Sequence, residues 1–187
     1  MTALPAFQIP EEVWLVEAAR RGDRGAFGKL YDLYARMIHG ILLARVPRGE
    51  VDDLVQDVFL LALRRLHTLR DARAFSGWLA MVARNRANDY HRRGQEMSEL
   101  PEDLPSQDPQ EAEAWAVLGV IQTLPEAYRE TLILRLVEGM TGAEIAARTG
   151  LSPGSVRVNL HRGMKQLREK LDWSRNREEA GKEESHA

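Results

Sequence analysis

Between Gly94 and Ala114 the chain carries seven carboxylates and three prolines but not one lysine or arginine. Pro101, Pro105 and Pro109 favour extended backbone over helix, and unbroken like charge resists compaction. Such a segment does not share a core with its flanks, so residues 95–113 read as an acidic flexible linker. Folding must then happen on either side of it. The 187 residues leave room for two small bodies, each able to bury apolar surface without staples. A hydrophobic content of 44% against 29% charged residues is that of a globular chain rather than a disordered one.

The apolar spacing on both sides is helical, which makes the expected fold all-α. In the first half Ala18, Phe27, Leu30, Tyr31, Leu33, Tyr34, Ile38, Ile41 and Leu42 recur at three- and four-residue intervals, broken near Gly22 and Gly25. After a break at Pro47, Arg48 and Gly49, a second stripe runs through Val51, Leu54, Val55, Val58, Phe59, Ala62, Leu63 and Leu66. Asp52 and Asp53 sit in its first turn, where negative charge complements the helix dipole. A further helix starts near Ser76, turns Trp78, Leu79, Val82 and Ala83 inward and ends in the polar run Arg84 to Arg93. Beyond the linker one helix runs from Trp115 to about Thr123. Another follows Pro125, with Tyr128, Leu132, Ile133, Leu136 and Val137 inward, and stops at Gly139. The expected division is a helical domain over 1–94, the linker over 95–113, a second helical domain over 114–173 and a disordered, charged tail over 174–187.

Several function classes drop out. There is no cysteine, and His39, His67, His91, His161 and His186 form no ligand-spaced pair, so neither a metal nor another cofactor is expected. Without a glycine-rich phosphate loop or a nucleophile elbow the chain does not read as an enzyme. No apolar run approaches the roughly 18 residues of a membrane span, and the N-terminus lacks the basic start and apolar stretch of a signal peptide. A cytoplasmic protein with no membrane insertion is expected.

The most informative stretch is Thr141 to Leu171. Thr141 and Glu144 have the spacing of a capping box, with Ile145 and Ala146 as the buried face behind it. Gly150 can take the left-handed conformation of a tight turn, and Leu151 can fill the space between crossing helices. Ser152 then caps a helix whose first position, Pro153, needs no amide hydrogen. Two helices joined in this way form a helix-turn-helix, in which the second helix can enter a major groove. Val156 and Leu160 face inward, leaving Ser155, Arg157, Asn159, His161 and Arg162 outward. Arginine can bond guanine and asparagine adenine, while Lys165, Arg168 and Lys170 suit phosphate. Five basic residues from Arg157 to Lys170, set against Glu169 and Asp172, give a local charge of +3 in a chain whose total is -2. The bland alternative is a solvated helix in an ordinary hairpin.

A second basic run, Arg84, Arg86, Arg92 and Arg93, is interleaved with Asn85, Asn88, Tyr90 and His91. That mixture suits phosphates and unstacked single-strand bases, although such a run at a domain edge can equally be solvated surface. Phe75 and Trp78 can be core aromatics or stacking platforms.

Three phrases in order carry a family likeness. "DDLVQDVFLLALRRL" from Asp52, "FSGWLAMVARNRANDYHRR" from Phe75 and "TLPEAYRETLILRLVEGMTGAEIAARTGLSPGSVRVNLHRGMKQLREKL" from Thr123 resemble, across roughly Glu11 to Leu171, the extracytoplasmic-function group of bacterial sigma factors. The resemblance implies a transcription initiation factor that binds core RNA polymerase and promoter DNA, under an anti-sigma factor, and is a monomer when free. By position it assigns Asp53, Leu54, Gln56 and Asp57 to polymerase. For Asp53 and Leu54, a helix-start charge and a core leucine remain the alternative. Trp78, Asn85, Asn88, Asp89, Arg92 and Arg93 fall to the minus-ten strand, with a base pocket in the loop from His67 to Ala74. Ser155, Arg157, Val158, His161, Arg162 and Lys165 fall to the minus-thirty-five groove. Val158, Asn159 and Met164 depart from the residues frequent there. The resemblance also implies a linker threaded through the polymerase cleft, against the alternative of a plain spacer. Two rivals stand beside it: a dimeric helix-turn-helix repressor or activator, and a protein that chiefly sequesters polymerase.

Overall fold

The computed structural model describes residues 11–94 and 109–184, and side chains at 11–93 and 114–173. Eight α-helices make up these residues, with no strand among them. The first domain holds α1 (Glu11–Arg20), α2 (Arg24–Leu43), α3 (Val51–Arg65) and α4 (Phe75–Gly94). The second holds α5 (Pro109–Gln122), α6 (Glu126–Leu136), α7 (Gly142–Thr149) and α8 (Pro153–Glu184).

Local chemistry sets the boundaries. Gly22 turns the chain at φ 95, and the Asp23 carboxylate accepts from the Ala26 amide at 3.0 Å to start α2. Gly25 therefore lies inside α2 rather than breaking it. Short 3-10 turns at Arg48–Glu50, Leu66–Thr68 and Ala72–Ala74 connect the remaining helices of this domain. The stripes fill its core: Leu30, Ile38 and Ile41 from α2, Val51, Leu54 and Val58 from α3, and Phe75, Leu79 and Ala83 from α4 are all buried. Phe75 meets Tyr34 edge-on at 5.4 Å and Trp78 at 5.9 Å, so it belongs to the core, with Trp78 half-buried beside it.

In the second domain α6 and α8 cross at Gly163, where a Cβ would lie 3.1 Å from Leu132. Leu118, Ile121, Leu132, Ile133, Ile145, Val156 and Leu167 make the core around that crossing.

Several expectations need correction. α5 begins at Pro109, inside the stretch assigned to the linker, because proline is well suited to the first turn of a helix. The rest of that stretch, 95–108, lies outside the described residues. The tail expected to be disordered is helical as far as Glu184. Arginine, glutamate, lysine and alanine dominate that segment, and their helix propensity lets α8 continue past the core. Residues 185–187 lie outside the described residues. Tyr31, Leu33, Leu63, Leu136 and Val137, assigned to inward faces, are exposed. Their helices bury narrower arcs than the apolar spacing implied.

The two domains touch. α6 lies on α2 and α7 on α4. Gln122 donates to the Leu43 carbonyl at 3.2 Å, and the Arg48 guanidinium stacks 3.5 Å from the centre of the Trp115 ring.

Candidate nucleic-acid interface

The helix-turn-helix forms as its residues dictate. Thr141 Oγ1 accepts from the Glu144 amide at 3.2 Å, and the Glu144 carboxylate accepts from the Thr141 amide at 2.8 Å, closing the capping box. The Thr141 hydroxyl also donates to that carboxylate at 2.8 Å, and the amide and hydroxyl bonds together hold the Glu144 carboxyl below its ordinary range. Gly150 ends α7 in the left-handed region at φ 78. Thr149 ties the turn down: its hydroxyl donates to Ile145 O at 2.6 Å and accepts from the Leu151 amide at 3.4 Å. Ser152 Oγ accepts from the Ser155 amide at 3.1 Å, capping α8.

Val156 and Leu167 anchor α8, and the face away from them is open. Ser155, Arg157, Val158, His161, Arg162 and Lys165 are all exposed. Arg157, Val158, His161 and Arg162 line one shallow concavity, the first three turns of the helix in a single patch. Lys165 reaches Glu169 at 3.9 Å, an exposed pair that leaves the ammonium hydrated.

On α4 the exposed row runs Met81, Asn85, Asn88 and Arg92, at spacings of three and four that keep one face. Half-buried Trp78 stands at its base. Asp89 pairs with Arg92 at 3.0 Å, and Arg93 is exposed. Met81, half exposed, was missed in the sequence. It continues the row of Asn85 and Asn88 one turn earlier, which was the available signal. Two of the four arginines in this run are committed elsewhere. Arg86 pairs with Asp57 on α3, and Arg84 holds Glu130 on α6 at 2.7 Å. The loop assigned to a base pocket exposes His67, Thr68, Arg70, Asp71, Arg73 and Ala74, with Asp71 accepting from the Arg73 amide at 2.9 Å.

The α3 residues divide. Asp53 and Gln56 are exposed; Asp57 is half-buried in its pair with Arg86. Leu54 is 4% exposed, so it offers no contact surface and is corrected to a core residue. Val51, Leu54, Val55 and Val58 share the inner arc of α3, which puts Leu54 beneath the helix. Leu60 and Leu63, at 53% and 45% exposure, continue the arc of Asp53 and Gln56. Of this second apolar row, offset from the core stripe, the apolar spacing placed Leu63 in the core and did not single out Leu60.

Residues 30–96 match the family Sigma-70 region 2, and residues 114–167 match Sigma-70, region 4. The RNA polymerase sigma factor CarQ of Myxococcus xanthus is 32% identical over 165 residues, covering 83% of this chain and 95% of CarQ. The ECF RNA polymerase sigma-E factor of Escherichia coli is 30% identical over 186 residues, covering 88% of this chain and 95% of that protein. The chain belongs to the ECF sigma factors. The fold of this sigma factor is also similar to that of CnrH, solved in complex with the cytosolic domain of CnrY. The TM-score is 0.62 at 26% identity, covering 86% of this chain and 97% of that one. The α2–α4 core of this sigma factor thus falls within region 2, and its helix-turn-helix within region 4. No helix among its described residues is long and apolar enough to cross a membrane, and no cluster of three His, Asp or Glu among them is arranged to hold a metal.

Proposed function

We propose that this sigma factor works in the cytoplasm by docking on core RNA polymerase through the outer face of α3. It then presents α4 to the minus-ten strand and α8 to the minus-thirty-five groove. The observation that carries the reading is the exposed row on α8. A capped helix after a left-handed glycine leaves Arg157, His161, Arg162 and Lys165 outward and exposed. Side chains with donors at these positions suit base edges and phosphates of a duplex.

Polymerase binding is assigned to Asp53, Gln56, Leu60 and Leu63. Two carboxylate or amide groups and two exposed leucines on one arc give the mixed apolar and polar character of a protein contact. On α4, Asn85, Asn88 and Arg92 face the strand, with Met81 and Trp78 beside them as apolar neighbours for an unstacked base. Each reader alone is small, and tethering to one polymerase raises the effective concentration of the second once the first has docked. A regulatory partner of the anti-sigma type fits the likeness to CnrH, which was solved with CnrY.

The test is run-off transcription with purified core polymerase on a library of genomic fragments. Promoter-dependent product is expected from a subset of fragments. No product from any fragment would overturn the reading. A tight, polymerase-independent shift of duplex DNA by a dimer would instead favour a conventional helix-turn-helix repressor or activator.

A further inference from the structure

One end of the first domain collects arginine. The rings of Phe27 and Tyr31, in the first half of α2, lie 6.3 and 4.5 Å from that of Phe59 in the second half of α3. That pairing sets the α1–α2 turn beside the last turn of α3. The 3-10 turn Ala72–Ala74, just ahead of α4, packs on α1. Residues 17–24 and 64–73 therefore share this pole. They hold seven arginines against three carboxylates, a local charge of +4 in a chain whose total is -2.

The three carboxylates are already committed. Glu17 pairs with Arg20 at 2.8 Å, Asp23 accepts from the Ala26 amide and Asp71 from the Arg73 amide. The ion pairs among the described residues leave the side chains of Arg21, Arg24, Arg64, Arg65, Arg70 and Arg73 without a carboxylate, and all six are exposed. The loop after α3 presents two of them on a pinned backbone. Leu66, Leu69 and Ala72 are buried at intervals of three, the period of its 3-10 turns, so His67, Arg70 and Arg73 form an outward row. Stability does not account for this placement. Arg64 and Arg65 suit the end of α3, but Arg24 opens α2 and Arg73 precedes α4, where the helix dipole opposes a cation.

We propose that this pole holds backbone phosphates of promoter DNA where the strand leaves the Trp78 end of α4, adding affinity without reading bases. The proposal rests on the minus-ten reading of α4 given above. Trp78 lies one turn into α4, so the row of Trp78, Met81, Asn85 and Asn88 leads onto the arginine-bearing loop. Guanidinium forks match phosphate oxygens, and such contacts fix position rather than sequence. A protein partner fits less well. Protein contacts have an apolar centre, and no large apolar side chain within 17–24 or 64–73 is exposed. The chain's own acidic stretch, 95–108, follows Gly94, about 28 Å of helix away from Phe75, and so starts at the opposite end of α4.

The test uses core polymerase loaded with the parent chain, with a variant carrying Arg21→Gln, Arg24→Gln, Arg64→Gln and Arg65→Gln, or with one carrying lysine at the same four positions. The probes are a labelled promoter fragment mismatched over its minus-ten stretch, hence already open, and a copy with those bases scrambled. Affinity is measured from about 50 to about 200 mM salt. Each single-strand phosphate contact contributes about 0.7 to the slope of log affinity against log salt, so loss of four lowers the slope by about 3. The parent's advantage over the glutamine variant should then shrink about 50-fold across that range, equally on both probes. The lysine variant should keep the parent slope, because it keeps the charge. Melting should change little, since all four side chains are exposed. An unchanged slope in the glutamine variant, a loss confined to the unscrambled probe, or weakened binding to core polymerase itself would each overturn the proposal. Run-off product from the parent alongside an unchanged slope sinks the phosphate contact alone, whereas absence of product sinks the promoter reading.

Discussion

Gly150 sets the direction in which α8 leaves the turn, and its replacement by alanine has a cost that can be worked out in parts. The residue sits at φ 78, where an L side chain brings Cβ against the carbonyl and costs about 1–2 kcal/mol. No steric surcharge adds to this, because the nearest atom to a new Cβ is Gly77 Cα at 3.9 Å, an ordinary contact. Alanine also narrows the unfolded ensemble and returns about 0.4–1 kcal/mol. The net loss is about 1 kcal/mol. Unfolding entropy of about 2.1 cal/mol/K per residue turns that loss into a melting shift whose size depends on what melts together. A second domain of about 65 residues melting alone would drop by about 7 °C, whereas about 165 residues melting as one docked body would drop by about 3 °C. Differential scanning calorimetry of Gly150→Ala and Gly150→Asn separates the cases. Asparagine tolerates the left-handed region and should lose less than alanine. An alanine variant that melts with the parent, or an asparagine variant that melts below alanine, would refute the backbone argument.

Arg162→Ala should weaken promoter discrimination by about 1–3 kcal/mol if the guanidinium reads a base. Titration against a promoter and a scrambled duplex checks this, and an equal loss on both would mark it as a phosphate contact. Leu60→Ala should weaken binding to core polymerase by about 1 kcal/mol, roughly fivefold, with melting unchanged because the side chain is exposed. Unaltered affinity in a fluorescence titration would remove the α3 face from the interface. For His39, the hydrogen bond and charge of Glu138, helped by Asp52 of α3, raise its pKa above the ordinary value against the opposing effect of burial. A raised pKa means that protonation favours docking: the contribution is complete below about pH 6.5 and fades as pH rises through the raised value. The melting temperature should therefore fall on the alkaline side, and His39→Gln should flatten that fall. A profile identical in the two proteins would refute the assignment, even with Arg36 still beside Glu138.

What the sequence revealed and what it concealed follow from how far each cause reaches along the chain. The Thr141 and Glu144 box, Gly150, Ser152 and Pro153 are local devices, each complete within four residues. The structure builds every one as expected. The outward row on α8 follows from them, because a helix anchored by Val156 and Leu167 has only one open face. Leu54, Leu60 and Leu63 show the next level of difficulty. All three are leucines at helical spacing on one helix, and only the position of α2 and α4 decides which arc of α3 is buried. Glu130, Glu138, Arg45 and Gly40 lie beyond reach altogether. Glutamates ahead of the helix-turn-helix read as solvated, and are buried only where the other domain supplies guanidinium and imidazole groups. Gly40 reads as a weak point in a helix until Leu134 and Glu138 are placed against it. Short-range capping thus builds the DNA reader, while long-range charge pairing fixes where that reader rests. The two can therefore be altered separately, by substitution at Gly150 for the first and at Glu130 for the second.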